Sequence, residues 1–257
     1  MMSYRLIPSL LFMGIAVATC GCMKAPGKPG AGPEIPRPER VVDFATLYGQ
    51  NCAGCHGAAG KNGAAISLAN PVYLAAAGAT NIQHVTSAGV PATAMPAFAG
   101  HLTDQQIAVL AQGMIKNWGN PAMIKGQALP AYSSNAPGDA GRGQQAFGTF
   151  CARCHGADGS GVVAGSTHTG SLIDPAYLAL VSNQGLRSLI IAGQPEQGMP
   201  DWRSDLAADP RAMTDEEITD TVAWLAAHRI GAPGQPYGQP APAAAPANGQ
   251  GNGGHHE

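Results

Sequence analysis

Cys52-Ala53-Gly54-Cys55-His56 and Cys151-Ala152-Arg153-Cys154-His155 are two copies of one pattern, Cys-x-x-Cys-His, in a chain of 257 residues. The spacing sets two thiols on one short turn, with an imidazole directly after the second. Three chemistries use such a turn: half of a zinc site, a dithiol redox pair, and the double attachment of a porphyrin. A zinc ribbon keeps its two Cys-x-x-Cys pairs far closer together, and a thioredoxin-like pair follows a strand in a βαβ pattern that this sequence lacks.

Two copies of the motif, each with its histidine, favour the porphyrin reading. Each thiol can bond one vinyl carbon while the adjacent imidazole reaches the iron. Cys52, Cys55, Cys151 and Cys154 are therefore expected to hold two c-type haems covalently, with His56 and His155 as the proximal ligands.

Outward from the two motifs, the sequence repeats itself. Residues from about Val41 place Val42, Phe44, Ala45, Tyr48 and Cys52 near one helical face, which predicts a helix leading into the first turn. Gly57-Ala58-Ala59-Gly60 follows, a loop with almost no side chains. Ser67-Leu68-Ala69-Asn70-Pro71 starts the next helix, Asn70 as cap and Pro71 at the first helical position, and Ser171-Leu172-Ile173-Asp174-Pro175 restates it. A short helix over residues 81–88 ends at Gly89, and its counterpart ends at Gly193. Thr103-Asp104-Gln105-Gln106 and Thr214-Asp215-Glu216-Glu217 are matching capping boxes for the last helix of each copy. The extra length of copy two falls at 159–170 and 205–211, both read as loops.

The iron still has a free axial position, and what fills it separates electron transfer from catalysis. Only Met95 and Met199 recur at matching places in both copies, each followed by proline in a loop punctuated by Gly and Pro. They are the expected sixth ligands. Packing is the bland alternative, since methionine fills gaps in cores, and Met114 and Met213 suit that role better. His84, His101, His168, His228, His255 and His256 have no counterparts and read as surface or locally bonded histidines.

Taken together, C-x-x-C-H, a capped intermediate helix, a Gly-x-Pro turn, Met-Pro-x-aromatic and a capped last helix resemble the class I cytochromes c, twice over. The resemblance implies an all-α fold of two tandem domains, in which the first and last helices of each copy cross and the loop between them brings the methionine over the haem. It also implies that Phe98 and Trp202 sit beside the haems. Arg187 stands where copy one has Gln83, and Asp201 where it has Ala97, so Arg187 is placed in the environment of the second haem and the two sites need not share one potential. Gly113 aligns with Trp224, which suggests a looser first crossing in which Trp118 substitutes.

The function implied is one-electron relay between respiratory partners, without substrate chemistry. Rivals are a dihaem enzyme, either peroxidase-like, which needs a displaceable iron ligand, or thiosulfate-oxidising, which commonly uses a cysteine ligand, and a cytochrome subunit of a larger respiratory complex. Both mature domains spend every cysteine on haem attachment.

The remaining cysteines, Cys20 and Cys22, close an N-terminal targeting pattern: Arg5, an apolar run over residues 6–18, then small residues. Gly21-Cys22 resembles a lipoprotein acylation site, with Cys20 as the alternative and a plain secretory cleavage as the simpler reading. The expected organisation is a lipoprotein-type signal over 1–22 and a Pro/Gly tether over 23–40. Domains at 41–118 and 138–230, a linker at 119–137 and a disordered tail at 231–257 complete it. Acylation would place the domains outside the cytoplasm, in the periplasm, on a tether reaching roughly 50 Å from the bilayer at about 3.1 Å per residue. A formal net charge of -2 and the lack of a basic stripe leave nucleic acid without an electrostatic footprint.

Overall fold

The computed structural model describes residues 32, 35–124, 126–164, 167–204 and 211–230. Cys20, Cys22, the apolar run, most of the Pro/Gly tether and the tail from 231 lie outside the described residues. The chain divides into a unit Met1–Arg40 and a unit Val41–Glu257, and both Cys-x-x-Cys-His motifs belong to the second. Among the described residues no helix is long and apolar enough to cross a membrane.

Among its described residues, the regular structure of the second unit is helical apart from one small hairpin. Its first half carries α1 (Phe44–Asn51), α2 (Ala53–His56), α3 (Pro71–Ala88) and α4 (Asp104–Trp118). The second half carries α5 (Ala140–Phe150), α6 (Ala152–His155), α7 (Pro175–Leu180), α8 (Asn183–Ala192) and α9 (Asp215–Ala226). Between α6 and α7, β1 (Val162–Ala164) pairs antiparallel with β2 (Thr167–Thr169). The stretch read as a loop over 159–170 is thus a hairpin in part, its strands too short for any alternation of apolar and polar residues to announce them.

Local chemistry sets the helix ends. α1 begins at Phe44 rather than near Val41, because Asp43 accepts from the Thr46 amide and leaves Val41 outside the helix. Asn70 accepts from the Val72 and Tyr73 amides and Asp174 from Tyr177, each with proline at the first helical position. Thr103 with Gln106, and Thr214 with Glu217, close reciprocal capping boxes. Gly78 breaks the α geometry inside α3 (φ 64°, ψ 168°), so α3 is two helical pieces joined by a kink, as α7 and α8 are two helices separated at Val181.

Each half folds around a crossing of its first and last long helices, and α5 with α9 makes a more extensive crossing than the shorter α1 with α4. Leu47, Tyr48, Leu110, Ala111 and Met114 of the first half and Phe147, Ile218, Val222, Trp224 and Leu225 of the second belong to one hydrophobic core cluster. Full burial of a side chain such as Leu110, Phe147 or Ile218 contributes about 1.5–3 kcal/mol. The α5–α9 contact is also polar. Buried Asp220 accepts from Arg142 Nε at 2.7 Å and from the Asp139 amide at 2.6 Å, which fixes the start of α5 against α9.

The connector between the halves is structured. It holds a 3-10 turn at Pro121–Ile124, against which α3 packs, and residues from the second half grip its carbonyls.

Candidate haem sites

Each Cys-x-x-Cys-His motif is the end of a helix followed by a single short turn. The amides of Cys55 and His56 both bond to the Cys52 carbonyl, at 3.2 and 3.0 Å, and those of Cys154 and His155 bond to Cys151, at 3.1 and 3.0 Å. That turn gathers the two sulfurs and the ring into one patch. All four thiols are free of disulfides, with Cys55 and Cys154 exposed and Cys52 buried.

Glycine is required just after each motif. Gly57 and Gly156 have φ of 83° and 79°. A methyl group at Gly57 would lie 1.9 Å from the Lys61 carbonyl oxygen, and one at Gly156 2.8 Å from that of Gly161. The chain folds back tightly at this point, backbone against backbone.

His56 is buried, and its Nδ1 lies 2.8 Å from the Ile66 carbonyl oxygen. A carbonyl only accepts, so Nδ1 carries the proton and Nε2 keeps its lone pair, the form that binds a metal. Burial also pushes the His56 pKa down, and that of His155 as well, favouring the neutral ring in both. His155 differs in one respect: its Nδ1 is buried with no hydrogen-bond partner. Two thiols outside any disulfide and a neutral ring beside them are the donor set that a covalently attached haem uses, and the residues fit it in both halves.

The two methionines occupy matching positions in two loops of like construction. The Val90 amide bonds to the Met95 carbonyl at 3.1 Å, and the Gln194 amide bonds to the Met199 carbonyl at 2.9 Å. Gly89 and Gly193, which open these loops, have nearly the same backbone (φ 68°, ψ -169° and φ 64°, ψ -173°). Both methionines are half-buried, and neither belongs to the helical cores. Phe98 is half-buried beyond Met95, and Trp202 is buried beyond Met199 beneath the Arg203 guanidinium, 5.0 Å from the ring centre.

The family model for cytochrome c oxidase, cbb3-type, subunit III matches residues 39–112, and the model for cytochrome c matches residues 140–229. The chain is a dihaem c-type cytochrome. Its two matches lie one on each half of the repeat, and each takes in one Cys-x-x-Cys-His turn. No curated protein sequence matches it at a significant level. Among solved structures, the cytochrome is similar to a chain of the Kuenenia stuttgartiensis reducing HAO-like protein complex Kustc0457/Kustc0458. The identity is 17%, the coverage 76% of this chain and 100% of that one, and the TM-score 0.43.

Two charges that distinguish the halves in sequence are bound internally in the cytochrome. Arg187 is 3% exposed, and its guanidinium donates to the Ala131 carbonyl at 2.8 and 3.0 Å, to Thr219 Oγ1 at 2.9 Å and to Asp215. It ties the connector to α8 and α9. Asp201 pairs with Arg203, which also donates to the Met123 carbonyl at 2.6 Å. Arg187 aligns with Gln83 of the first half, and two of its hydrogen bonds go to the connector, which no alignment of the halves contains.

Of the unmatched histidines, His228 bonds its Nδ1 to the Trp224 carbonyl at 2.9 Å within its own helix end. His168 sits in the hairpin opposite Val163. Among the described residues no three His, Cys, Asp or Glu side chains gather into a further metal site.

Proposed function

We propose that the protein is a one-electron carrier in which His56 and Met95 hold the first haem iron and His155 and Met199 the second. The observation that carries this reading is the repeated loop: the same glycine conformation and the same backbone closure present a methionine in each half. The haem supplies a reversible one-electron couple. What the chain adds is a fixed shell: a thioether sulfur stabilises the ferrous state, and apolar packing disfavours the extra charge of the ferric state, so both raise the potential. With ligands on both faces held by short, backbone-braced turns, no substrate position is left open, and the reading is a carrier rather than a peroxidase.

Met95→His and Met199→His test it. Each substitution is expected to lower the potential of one haem and to remove its share of the methionine-to-iron charge-transfer absorbance of the oxidised protein. An unchanged redox titration removes that methionine from the coordination shell. A high-spin population that turns over peroxide or binds cyanide in the wild type refutes the carrier reading.

The partners inferred are redox proteins of a membrane respiratory chain, with the cytochrome held on the periplasmic face of a bilayer through acylated Cys22, or Cys20. The match of the first half to an oxidase subunit favours a second reading, in which the same dihaem unit works as the cytochrome subunit of a larger respiratory complex. Detergent extraction from membranes separates the two: co-purification of integral subunits supports the complex, and release as a lone lipid-modified chain supports the free carrier.

A further inference from the structure

Asn70 and Asp174 occupy the same place in the two halves, and both cap a helix through a side-chain oxygen. Capping alone does not distinguish them, because Asn and Asp serve equally well. The difference lies in the Asn70 amide nitrogen. Nδ2 donates to the Ala192 carbonyl at 2.9 Å and lies 3.4 Å from that of Gly193, the residues that close α8 in the other half. Asn70 is 4% exposed. A carboxylate in its place could not donate, and it would face the negative end of α8.

Each end of this bond runs into a haem site. On one side, Asn70 follows Ile66 in the same short loop, and the Ile66 carbonyl is the acceptor for His56 Nδ1. On the other, Gly193 is joined to Gln194, which exchanges two backbone hydrogen bonds with Met199, at 2.9 and 3.1 Å. A continuous run of covalent and hydrogen bonds therefore links the proximal histidine of the first site to the methionine of the second.

We propose that Asn70 is the junction for electron exchange between the two haem sites, so that transfer between them is internal to the chain. This rests on the carrier reading above. One electron leaves the reduced haem and arrives at the oxidised one; no bond is made or broken, and no proton moves. The halves are held in register around the junction by contacts that do not involve Asn70. α3 packs on α8; Tyr73 meets Tyr132 of the connector edge-on, with ring centres 6.5 Å apart; and Gln184 donates to the Tyr132 carbonyl at 2.7 Å.

The test uses the full-length holoprotein carrying Asn70→Asp or Asn70→Ser, both of which retain an oxygen for the helix cap. Rapid photoreduction to the one-electron level, followed by absorbance relaxation between the two haems, reads the exchange rate. Both variants are expected to keep wild-type haem spectra while the exchange slows; Asn70→Ser, which adds no charge, is also expected to keep both potentials, so that a slower rate in it reports the lost connection rather than a changed driving force. Wild-type exchange rates in both variants overturn the proposal. So does a wild-type rate that rises with protein concentration, which places the transfer between molecules. Failure of the ligand assignment shows separately, in the static spectra of Met95→His and Met199→His, without any rate measurement.

Discussion

Gly113 on α4 lies directly against Phe44 on α1: a methyl group at Gly113 would sit 2.2 Å from Phe44 Cδ2. The second half makes the same crossing with the sizes exchanged. Gly143 on α5 meets Trp224 on α9, and a methyl group there would lie 2.0 Å from the Asp220 carbonyl oxygen and 2.9 Å from Trp224 Cβ. Phe44 and Gly143 hold equivalent places ahead of their cysteines, as Gly113 and Trp224 do on the last helices. One large ring and one glycine thus build each crossing, on opposite helices. Trp118 joins the first cluster edge-on to Phe44 and Tyr48, with ring centres 5.5 and 5.0 Å away.

That complementarity predicts a paired response. Gly113→Ala overfills the first crossing and is expected to destabilise the protein by about 1–3 kcal/mol. Adding Phe44→Ala should recover part of the loss, because the two sites share one volume. Thermal unfolding of the two single variants and the double variant measures the coupling. Additive losses would show that the ring and the glycine do not share that volume.

Gly193 predicts a local effect on the second site. Its backbone sits in a region open essentially to glycine alone, and a methyl group there would lie 2.5 Å from the Pro200 carbonyl oxygen, next to Met199. Gly193→Ala is expected to displace the Met199 loop, reducing the methionine-to-iron absorbance by about half, one haem of the pair, while the first haem keeps its spectrum. Gly89→Ala should do the converse. Loss of both signals together from either substitution would mean global unfolding rather than a local loop requirement.

Much of this was legible in the sequence, because it depends on neighbours along the chain. The caps at Asn70-Pro71, Thr103-Gln106 and Thr214-Glu217 are contacts over a few residues, and the haem turns are fixed by their own spacing. What stayed hidden depends on partners far away in the chain. Asn70 reads as a cap, and only the fold brings α8 to its amide. Arg187 reads as a charge that sets the second half apart, and only the fold shows it donating to the Ala131 carbonyl of the connector. The hairpin at Val162–Ala164 and Thr167–Thr169 escaped for a different reason: each strand offers too few residues to show a period.

The two histidines predict an order of potentials. With Arg187 paired to Asp215 and Asp201 to Arg203, the charge differences seen in sequence are largely neutralised within the second half. The remaining asymmetry is that His56 donates to Ile66 whereas His155 Nδ1 has no acceptor. A donated Nδ1 proton makes the ring a stronger electron donor to iron and favours the ferric state, so the first haem should have the lower potential. In a redox titration, Met199→His should therefore move the higher of the two wild-type waves. Movement of the lower wave would reverse the assignment.

Glu217 predicts the acid limb of stability. The Arg211 guanidinium, bonded to both of its carboxylate oxygens at 2.6 and 2.8 Å, holds its pKa down at about 2 against partial burial, with the Thr214 amide adding to the effect. The folded value lies below the ordinary carboxylate value of 4.5, so the folded state binds the proton more weakly than the unfolded chain. Its contribution to stability is complete above that value and is lost as the pH falls from there toward 2. Glu217→Gln keeps an oxygen for the capping box and removes the charge. The melting temperatures of wild type and variant should differ most near pH 7 and converge as the pH approaches 2. A gap that stays constant across that window would assign the stabilisation to the hydrogen bonds of the cap rather than to the ion pair with Arg211.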